Sequence, residues 1–356
     1  MFAPVALSLA SLFAGAHAIT PDNLVSASLT GALSALRYSG VGGSGSYNQV
    51  TNMIAGEWPS CTANPSCITA PKAVSGNLAP FDEDITFVMR GPMQLYNIAV
   101  YQPGNTTAAT WKRVSSWTPN QQPDNMVFMA NAGGGASGEW SICGGASQAY
   151  VGGDFSTAVA TPNEQLYSGS LPSGKEVNIM TATTCQEGGC DGFFRGTANQ
   201  GWASSKLAVF EFEMPDDPQS LPALWALNAQ VVRAAQYGCN CRGMGGDGGC
   251  GELDIAETLT ANSPQAITEL YSFKGATGSG DGNFFPRPVG TKETIAVVLD
   301  VKTDAIAIVR LTDFDFTQAQ LTRTIVDGLL GAPAMQVPFG TNKRRNERPH
   351  PLRRRH

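Results

Sequence analysis

Short apolar runs of period two, separated by Gly, Pro, Asn and Asp, dominate the chain from about residue 80 onward. The segment KLAVFEFEM, residues 206–214, alternates cleanly, with apolar side chains on one face and Glu211 and Glu213 on the other. The segment TIAVVLDVKTDAIAIVRL, residues 294–311, predicts a β-hairpin with its turn at Lys302 to Asp304, because both halves are rich in Val and Ile. Since side chains alternate between the faces of a strand, the pattern predicts strands that each bury one face.

Two further segments bear on the fold class. DITFVMRGPMQLYNIAVY, residues 84–101, predicts two strands that are broken at Gly91-Pro92. QSLPALWALNAQVVRAAQ, residues 219–236, is a helical candidate of a turn or two, although it contains Pro222. Many short strands with frequent turns and few helices predict an all-β protein, an antiparallel β-sandwich or a barrel.

Composition divides the chain into four parts. Residues 1–18, MFAPVALSLASLFAGAHA, combine an apolar run with a small-x-small ending and predict a secretory signal. Residues 19–78 are rich in Gly, Ser, Asn and Pro and predict a small irregular module, whereas residues 79–340 carry the strand pattern of the main domain. Residues 341–356 predict a disordered basic tail. No later apolar run approaches the roughly 20 residues of a membrane-spanning helix, so no membrane span is predicted.

The cysteines form an even set, which is typical of a disulfide framework made in an oxidising compartment. The eight are Cys61, Cys67, Cys143, Cys185, Cys190, Cys239, Cys241 and Cys250. Their pairing is open at this point, and an all-thiolate zinc site is the alternative. The three histidines, His17, His350 and His356, lie near the two ends, so zinc sites with histidine and histidine catalysis are not expected. The sequon at Asn105 predicts N-glycosylation and agrees with secretion.

The charge of the chain is unevenly distributed. The net charge is −6, but the last 14 residues, KRRNERPHPLRRRH, carry seven basic residues and one acidic residue. The remainder holds 16 basic against 28 acidic residues, a net charge of −12. Because nucleic-acid binding requires a basic surface, this body argues against a nucleic-acid partner. The tail is either a solvated end or a patch for a polyanion.

One apolar segment, CGELDIAETL at residues 250–259, carries three carboxylates at Glu252, Asp254 and Glu257. In a regular strand, positions i and i+2 share a face, but position i+5 lies on the opposite face. A β-bulge near Ile255 and Ala256 returns Glu257 to the face of the other two acids. Without such a bulge the three residues do not form one site.

If the three acids align, mutual repulsion raises the proton affinity of at least one of them. The result is one ionised and one protonated carboxyl group, as a retaining glycosidase requires for its nucleophile and its general acid. The carboxyl groups of such enzymes lie about 5 Å apart, so the side chains of Glu252 and Glu257 have to lean together over Asp254. The alternatives are a solvated strand face and a calcium site.

Several segments together resemble a known family. ELDIAE is similar to the Glu-x-Asp-x-x-Glu signature of glycoside hydrolase family 16, and PALWALN is similar to the Pro-Ala-x-Trp segment that precedes it there. The segments CNCRGMGGDGGCGELDIAE, FDEDITFVMRGPMQLYNIAVY and YSGVGGSGSYNQV narrow the resemblance to fungal Tos-type cell-wall proteins. These proteins pair a glycine-rich N-terminal domain with a domain like that of family 16.

The resemblance implies a concanavalin-like jelly roll, a glycan cleft on its concave face and retaining endo-β-1,3-glucanase activity. It implies that Glu252 is the nucleophile, Asp254 the assisting carboxylate, Glu257 the general acid/base and Trp225 a cleft residue. A flat indole suits sugar C–H faces, although a core tryptophan is the alternative. The implied partner is β-1,3-glucan or a related wall polysaccharide, acted on by a secreted monomer without metal or cofactor. The alternatives are a transglycosidase and a non-catalytic glucan-binding wall protein.

Further positions have more ambiguous roles. Glu211 and Glu213 are candidates for binding sugar hydroxyls if their strand flanks the cleft, and otherwise they face solvent. Four aromatic residues are candidates for extending the subsites or for packing in the core and loops: Trp202, Tyr271, Phe284 and Phe285. The cluster of Cys239, Cys241 and Cys250 is expected to brace the Gly-rich loop that leads into the acidic strand.

Overall fold

The computed structural model describes residues 23–54, 66–132, 140–141, 145–146, 148–153, 158–243 and 249–340. The predicted signal at residues 1–18 and the basic tail at residues 341–356 lie outside these ranges, as do Cys61 and Cys143. Within the described ranges, no helix is long and apolar enough to cross a membrane.

The described residues form 22 strands and three helices. Strands β1–β12 are Ala35–Ser39, Gly45–Ile54, Ser66–Val74, Ile85–Arg90, Met93–Pro103, Thr110–Trp117, Val127–Ala130, Trp140–Ser141, Gly145–Ala146, Ala149–Tyr150, Ser170–Leu171 and Glu176–Met180. Strands β13–β22 are Lys206–Glu213, Ala223–Asn228, Glu252–Glu257, Gln265–Ser272, Gly275–Gly278, Phe285–Pro286, Glu293–Asp300, Ala305–Leu311, Gln320–Thr322 and Met335–Pro338. Helices α1–α3 are Cys185–Gly188, Ala229–Ala234 and Arg323–Leu330.

Two nine-stranded sheets carry most of these strands. The first sheet has the order β21-β6-β5-β13-β19-β20-β1-β22, with β11 beside β5. The second has the order β10-β7-β12-β4-β14-β15-β16-β17, with β18 beside β16. Neighbouring strands run antiparallel except for the parallel pair of β1 and β22. The predicted all-β sandwich is therefore confirmed.

Alternating side chains of the two sheets meet in one apolar core. Phe87 of β4 packs edge-on against Phe210 of β13, with ring centroids 5.0 Å apart, and Trp202 lies 5.7 Å from Phe87. All three rings are almost completely buried. Burying large aromatic side chains is a main source of stabilisation, so this layer joins the sheets. The residues that point the other way from each sheet define two outer faces.

Helix α3 covers the outer face of the first sheet. Val326 and Leu329 of the helix lie in the same buried cluster as Leu207 and Val209 of β13. Thr322 begins the helix because its side chain accepts a hydrogen bond from the backbone N–H of Ile325. The outer face of this sheet is thus occupied by apolar packing over much of its area.

The local predictions from strand patterning hold in the structure. The hairpin of residues 294–311 is formed by β19 and β20, with Lys302 to Asp304 in the turn between them. The break at Gly91-Pro92 separates β4 from β5, and the two strands belong to different sheets. The segment MQVPFG, near residues 335–340, supplies the edge strand β22.

The helical candidate at residues 219–236 is a strand followed by a helix. Its first half is β14, which lies between β4 and β15 and is buried along its whole length. Asn228 ends this strand and caps α2, because its side chain accepts a hydrogen bond from the backbone N–H of Gln230 at 3.1 Å. Sheet pairing therefore overrides the helical pattern N-terminal to Asn228.

Residues 19–78, the predicted Gly-rich module, contribute strand β1 to the sandwich and the strand pair β2–β3 that packs against it. Strand β1 lies in the first sheet, where Leu36 and Tyr38 enter the core between the sheets. Strands β2 and β3 form a hairpin whose Tyr47 packs on the outer face of the second sheet. A polar network holds this hairpin, since Glu83 accepts a hydrogen bond from the Tyr47 hydroxyl at 2.8 Å and pairs with Lys72 at 2.8 Å.

Candidate active site

Strand β15 contains the bulge on which the acidic cluster depends. Asp254 lies opposite Glu269 of β16, whereas Glu257 lies opposite Ile267, so β15 has one residue more than its partner over this stretch. The other neighbour, β14, shows the same shift, because Leu224 pairs with Ala256 and Trp225 with Asp254. Ile255 is the unpaired extra residue opposite β14, so the bulge that a shared acidic site requires is present.

The bulge separates apolar from acidic side chains. Leu253, Ile255 and Ala256 all enter the core between the sheets. Glu252, Asp254 and Glu257 consequently share the outer face of the second sheet. We call this surface the site face and define it by the outward side chains of β12, β4, β14, β15 and β16.

The strand register arranges the site face in three rows that run across the strands. The Glu252 row contains Thr86, Leu227, Glu252 and Tyr271. The Asp254 row contains Asn178, Val88, Trp225, Asp254 and Glu269. The Glu257 row contains Glu176, Arg90, Ala223, Glu257 and Ile267. Because neighbouring strands lie about 4.8 Å apart, each acid has defined neighbours on both sides.

The carboxylates are buried to different degrees. Asp254 is 4% exposed and Glu257 is 5% exposed, whereas the side chain of Glu252 is 13% exposed. Burial raises the pKa of Asp254 well above its usual range, and the charges of Glu257, Glu252 and Glu269 raise it further. Asp254 therefore retains its proton to a higher pH than an exposed aspartate does.

Arg90 pairs with Glu257, the acid at the C-terminal end of β15. Its Nη2 lies 3.1 Å from Oε1 of Glu257, and its Nη1 lies 3.6 Å from Oε1 of Glu176. Its guanidinium carbon lies 5.5 Å from the centre of the Trp225 ring. Burial lowers the pKa of Arg90, but the charges of Glu257 and Glu176 outweigh this effect and raise it above the usual value. The cation therefore favours the ionised form of its carboxylate partners.

Arg242 pairs with Glu252, the acid at the N-terminal end of β15. Its Nη1 lies 3.3 Å from Oε1 of Glu252, and its Nη2 donates a hydrogen bond to the backbone oxygen of Gln236 at 3.1 Å. The disulfide between Cys241 and Cys250 joins the residue before Arg242 to the segment that enters β15. This bridge confirms part of the expectation that the cysteine cluster braces the loop before the acidic strand.

Trp225 lies on the site face, as the resemblance implies, in the same row as Asp254. It is only 4% exposed, and its Nε1 has no hydrogen-bond partner in the described structure. Oδ1 of Asn178, in the same row, and Nε2 of Gln236 are also buried without a partner among the described residues. Buried polar groups are usually satisfied, so these three atoms offer unused hydrogen-bonding capacity near the acids.

Sequence reasoning missed several charged neighbours of the acidic strand: Glu176, Arg90, Arg242 and Glu269. Glu269 is a fourth carboxylate, and the hydroxyl of Tyr271 donates a hydrogen bond to it. The alternation of QAITELYS at residues 265–272 signals that Glu269 and Tyr271 face away from the core. The pairing of this strand with β15 comes only from the structure.

Other candidates lie elsewhere. Glu211 and Glu213 belong to β13 of the first sheet, whose apolar residues fill the core, so both carboxylates face outward on the far side of the sandwich. There they accept hydrogen bonds from Asn97 at 2.7 Å and Tyr96 at 3.1 Å. The structure therefore does not bring this pair to the site face. Trp202 and Phe285 are core residues, each 1% exposed, and Phe284 pairs through its backbone with the segment before β1.

The six described cysteines form disulfides: Cys67–Cys239, Cys185–Cys190 and Cys241–Cys250. Among the described residues, no group of three or more His, Cys, Asp or Glu side chains has an arrangement that could hold a metal ion. Asn105 is exposed in the turn between β5 and β6, where a sequon is accessible, and its glycosylation stays a prediction.

The fold and the site define a class: an antiparallel β-sandwich with a bulged acidic strand on the outer face of one sheet. The chain belongs to the family described as cell wall protein YJL171C/Tos1, whose C-terminal model matches residues 109–329 and whose N-terminal model matches residues 34–103. The family resemblance seen in the sequence is thereby confirmed.

Curated relatives come from several fungi. A protein named "Probable circularly permuted 1,3-beta-glucanase TOS1" from Candida albicans is 36% identical over 60% of this chain and 48% of the relative. The protein of the same name from Saccharomyces cerevisiae is 34% identical over 62% of this chain and 49% of the relative. The chain thus spans about half the length of these two relatives. "Probable circularly permuted 1,3-beta-glucanase PGA52" from Candida albicans is 28% identical over 80% of this chain and 79% of the relative. No solved structure matches the chain significantly.

Proposed function

We propose that this chain is a retaining endo-β-1,3-glucanase that acts on cell-wall glucan outside the cell. The observation that carries the proposal is the bulge at Ile255, which puts Glu252, Asp254 and Glu257 on one face. The names of the curated relatives support the substrate class, since each is called a probable 1,3-beta-glucanase. The family description as a cell wall protein supports the location.

The first step of the proposed reaction forms a glycosyl-enzyme. A carboxylate oxygen of Glu252 attacks the anomeric carbon, and the bond from that carbon to the glycosidic oxygen breaks. The step requires the protonated form of Glu257, which gives its proton to the departing oxygen and thereby becomes the ionised partner of Arg90. Arg242, at 3.3 Å from Glu252, holds the nucleophile ionised and orients it.

The second step releases the sugar. Glu257, now ionised, removes a proton from water, and the water oxygen attacks the anomeric carbon and displaces Glu252. Arg90, 3.1 Å from Glu257, favours the ionised state that this step requires. Asp254 lies between the two glutamates on β15. In its protonated form it adds no third negative charge to the three acids. Two displacements at one carbon retain its configuration.

A sugar hydroxyl in place of water would give transfer instead of hydrolysis through the same intermediate. One assay separates these outcomes and tests the proposal: the protein is incubated with β-1,3, β-1,4, β-1,6 and mixed-linkage glucans, and reducing ends and chain lengths are followed. We expect shorter β-1,3 chains whose new ends keep the β configuration. Longer products would identify a transglycosidase. Glucan binding with no new ends and no change in chain length would overturn the enzymatic proposal in favour of a binding protein.

A further inference from the structure

We propose that Tyr237 is an aromatic platform on which a glucosyl unit stacks next to the reacting carboxylates. This inference rests on the proposed function and deepens it by naming a residue that determines substrate binding. Neither the acidic signature nor the strand pattern points to Tyr237, which lies in the loop after α2.

The exposure of Tyr237 sets it apart. It is 53% exposed and is the one aromatic residue among the exposed large apolar side chains of the described structure. Asp254, Glu257 and Trp225, on the site face next to it, are each at most 5% exposed. A half-exposed aromatic ring at the edge of a buried charged site offers an apolar surface on which a ligand can stack.

Charged groups hold the ring at both its face and its hydroxyl. The guanidinium carbon of Arg242 lies 5.7 Å from the ring centre, and the hydroxyl donates a hydrogen bond to Oε1 of Glu176. Arg242 in turn pairs with Glu252. Through these contacts the ring is positioned against the same side chain that orients the proposed nucleophile.

The second anchor leads to the proposed acid/base. Glu176 lies 3.6 Å from Arg90, which lies 3.1 Å from Glu257. A continuous series of contacts therefore links Glu252 to Glu257, the first and last acids of β15. It runs through Arg242, Tyr237, Glu176 and Arg90. Tyr237 is the one uncharged and exposed member of this series.

Covalent and hydrogen-bonded anchors order the loop that carries the ring. The disulfide between Cys67 and Cys239 ties the loop to β3, and the side chain of Asn240 donates hydrogen bonds to the backbone oxygens of Ala235 at 3.0 Å and Gln236 at 2.9 Å. A platform that is already ordered loses little conformational entropy when a ligand binds, so it contributes more to affinity.

The chemistry of the ring matches a glucan. A β-linked glucosyl unit presents a face of C–H groups that packs on an aromatic ring, while its hydroxyls point outward as hydrogen-bond donors and acceptors. One face of Tyr237 lies toward Arg242, and Glu176 and Arg90 stand next to its hydroxyl end as partners for those hydroxyls. The combination selects a neutral sugar with an apolar face.

Binding is measured in a Glu252→Gln background, because an amide cannot form the glycosyl ester, while its side-chain oxygen can still accept the hydrogen bond from Arg242. Soluble β-1,3-glucan oligosaccharides are titrated calorimetrically into the parent and into Tyr237→Ala and Tyr237→Phe variants. We expect Tyr237→Ala to bind about tenfold more weakly and Tyr237→Phe to stay within about twofold of the parent, because phenylalanine keeps the stacking face.

Tyr96 supplies a matched control. It also donates its hydroxyl hydrogen bond to a glutamate, Glu213, and carries a cation 3.9 Å from its ring centre, but it lies on the first sheet. Tyr96→Ala should bind glucan like the parent. Thermal unfolding of each variant confirms that the fold is intact.

Each outcome is decisive. Equal affinities of Tyr237→Ala and the parent would overturn the inference while leaving the proposed function in place. The inference would also be overturned if the affinity of Tyr237→Phe fell as much as that of Tyr237→Ala. The hydroxyl contact to Glu176, and not the ring, would then control binding. A wild-type protein that neither binds nor cleaves any glucan would overturn the proposed function, and this inference with it.

Discussion

Arg90 on β4 reaches across β14 to Glu257 on β15, where its Nη2 lies 3.1 Å from the carboxylate. Ala223 of β14 lies between them, and the ring centre of Trp225, on the same strand, lies 5.5 Å from the guanidinium carbon. A cation held this close to a proposed acid/base lowers the tendency of the acid to take up a proton. The reactivity of Glu257 is thus set by a residue from a strand that it does not pair with.

The first prediction concerns pH. Arg90→Gln removes the cation beside Glu257 and so increases its proton affinity. The basic limb of the kcat/KM profile, which reports loss of the acid's proton, should move to higher pH by about 1 unit. Arg310→Gln, whose native partner is Glu293 on the first sheet, is the control and should leave the limb in place. An unmoved basic limb in Arg90→Gln would contradict the assignment.

The second prediction concerns the nucleophile. Glu252→Gln should lower kcat on β-1,3-glucan by about 10³-fold or more, because an amide cannot form the glycosyl ester. Glu211→Gln is matched in chemistry but lies on the far side of the sandwich, so its kcat should match that of the wild type. Similar losses in both variants, or in neither, would refute the role of Glu252.

The third prediction concerns the leaving group. Glu257→Ala should lower activity on glucan by about 10²- to 10⁴-fold, since the departing sugar oxygen needs a proton. The rate of the first step should fall far less with activated aryl β-glucosides, because their leaving groups need no proton. Steady-state and burst kinetics on both substrate types measure this difference. A loss that is equally large on both types would argue against an acid/base role.

The fourth prediction links Asp254 to stability. Burial raises its pKa in the folded state above the unfolded value, so folding favours the protonated form. Its contribution is fully present below the unfolded pKa and is lost as the pH rises through the folded pKa. Asp254→Asn stays neutral and should therefore gain stability relative to the wild type between pH 4 and pH 7.

Thermal unfolding at the two pH values measures this gain. We expect the difference in Tm between variant and wild type to increase by about 2–4 °C at the higher pH. Asp281→Asn, an exposed loop variant, should show no such change. A Tm difference that does not depend on pH would exclude a buried, proton-retaining Asp254.

The fifth prediction compares two disulfides. Cys67–Cys239 closes a loop of sequence separation 172, whereas Cys185–Cys190 closes one of 5. In the chain-entropy model, removing the first bridge costs about 5 kcal/mol of unfolding free energy and removing the second costs about 2 kcal/mol. Denaturant unfolding of the two double Cys→Ser variants tests this order. Equal losses would show that the long bridge adds no constraint between β3 and the Tyr237 loop.

Much of the local structure is encoded in short segments. The period of two at residues 206–214 and 294–311 predicts strands and their apolar faces, because one face of each must enter a core. The spacing of Glu252, Asp254 and Glu257 shows that they can form one site only if a bulge keeps Leu253 and Ile255 buried while the acids stay together. These features depend on neighbours in sequence.

The organisation of the site depends on strand pairing instead. Alternation turns both Glu211 and Glu252 away from the core, and nothing local distinguishes them. The order of strands decides that Glu252 lies with Trp225 on the second sheet and Glu211 on the first. Strand partners come from distant parts of the chain, so the pattern within a segment does not specify them.

The sequence by itself therefore determined the all-β class, the faces of the strands and the acidic triplet, since all three follow from side-chain alternation over a few residues. Only the tertiary structure decided which arginines hold Glu252 and Glu257, because Arg90 and Arg242 reach them through pairing and a disulfide-braced loop. It also placed Tyr237 beside the acids of β15, through contacts with Glu176 and Arg242 that join separate segments of the chain.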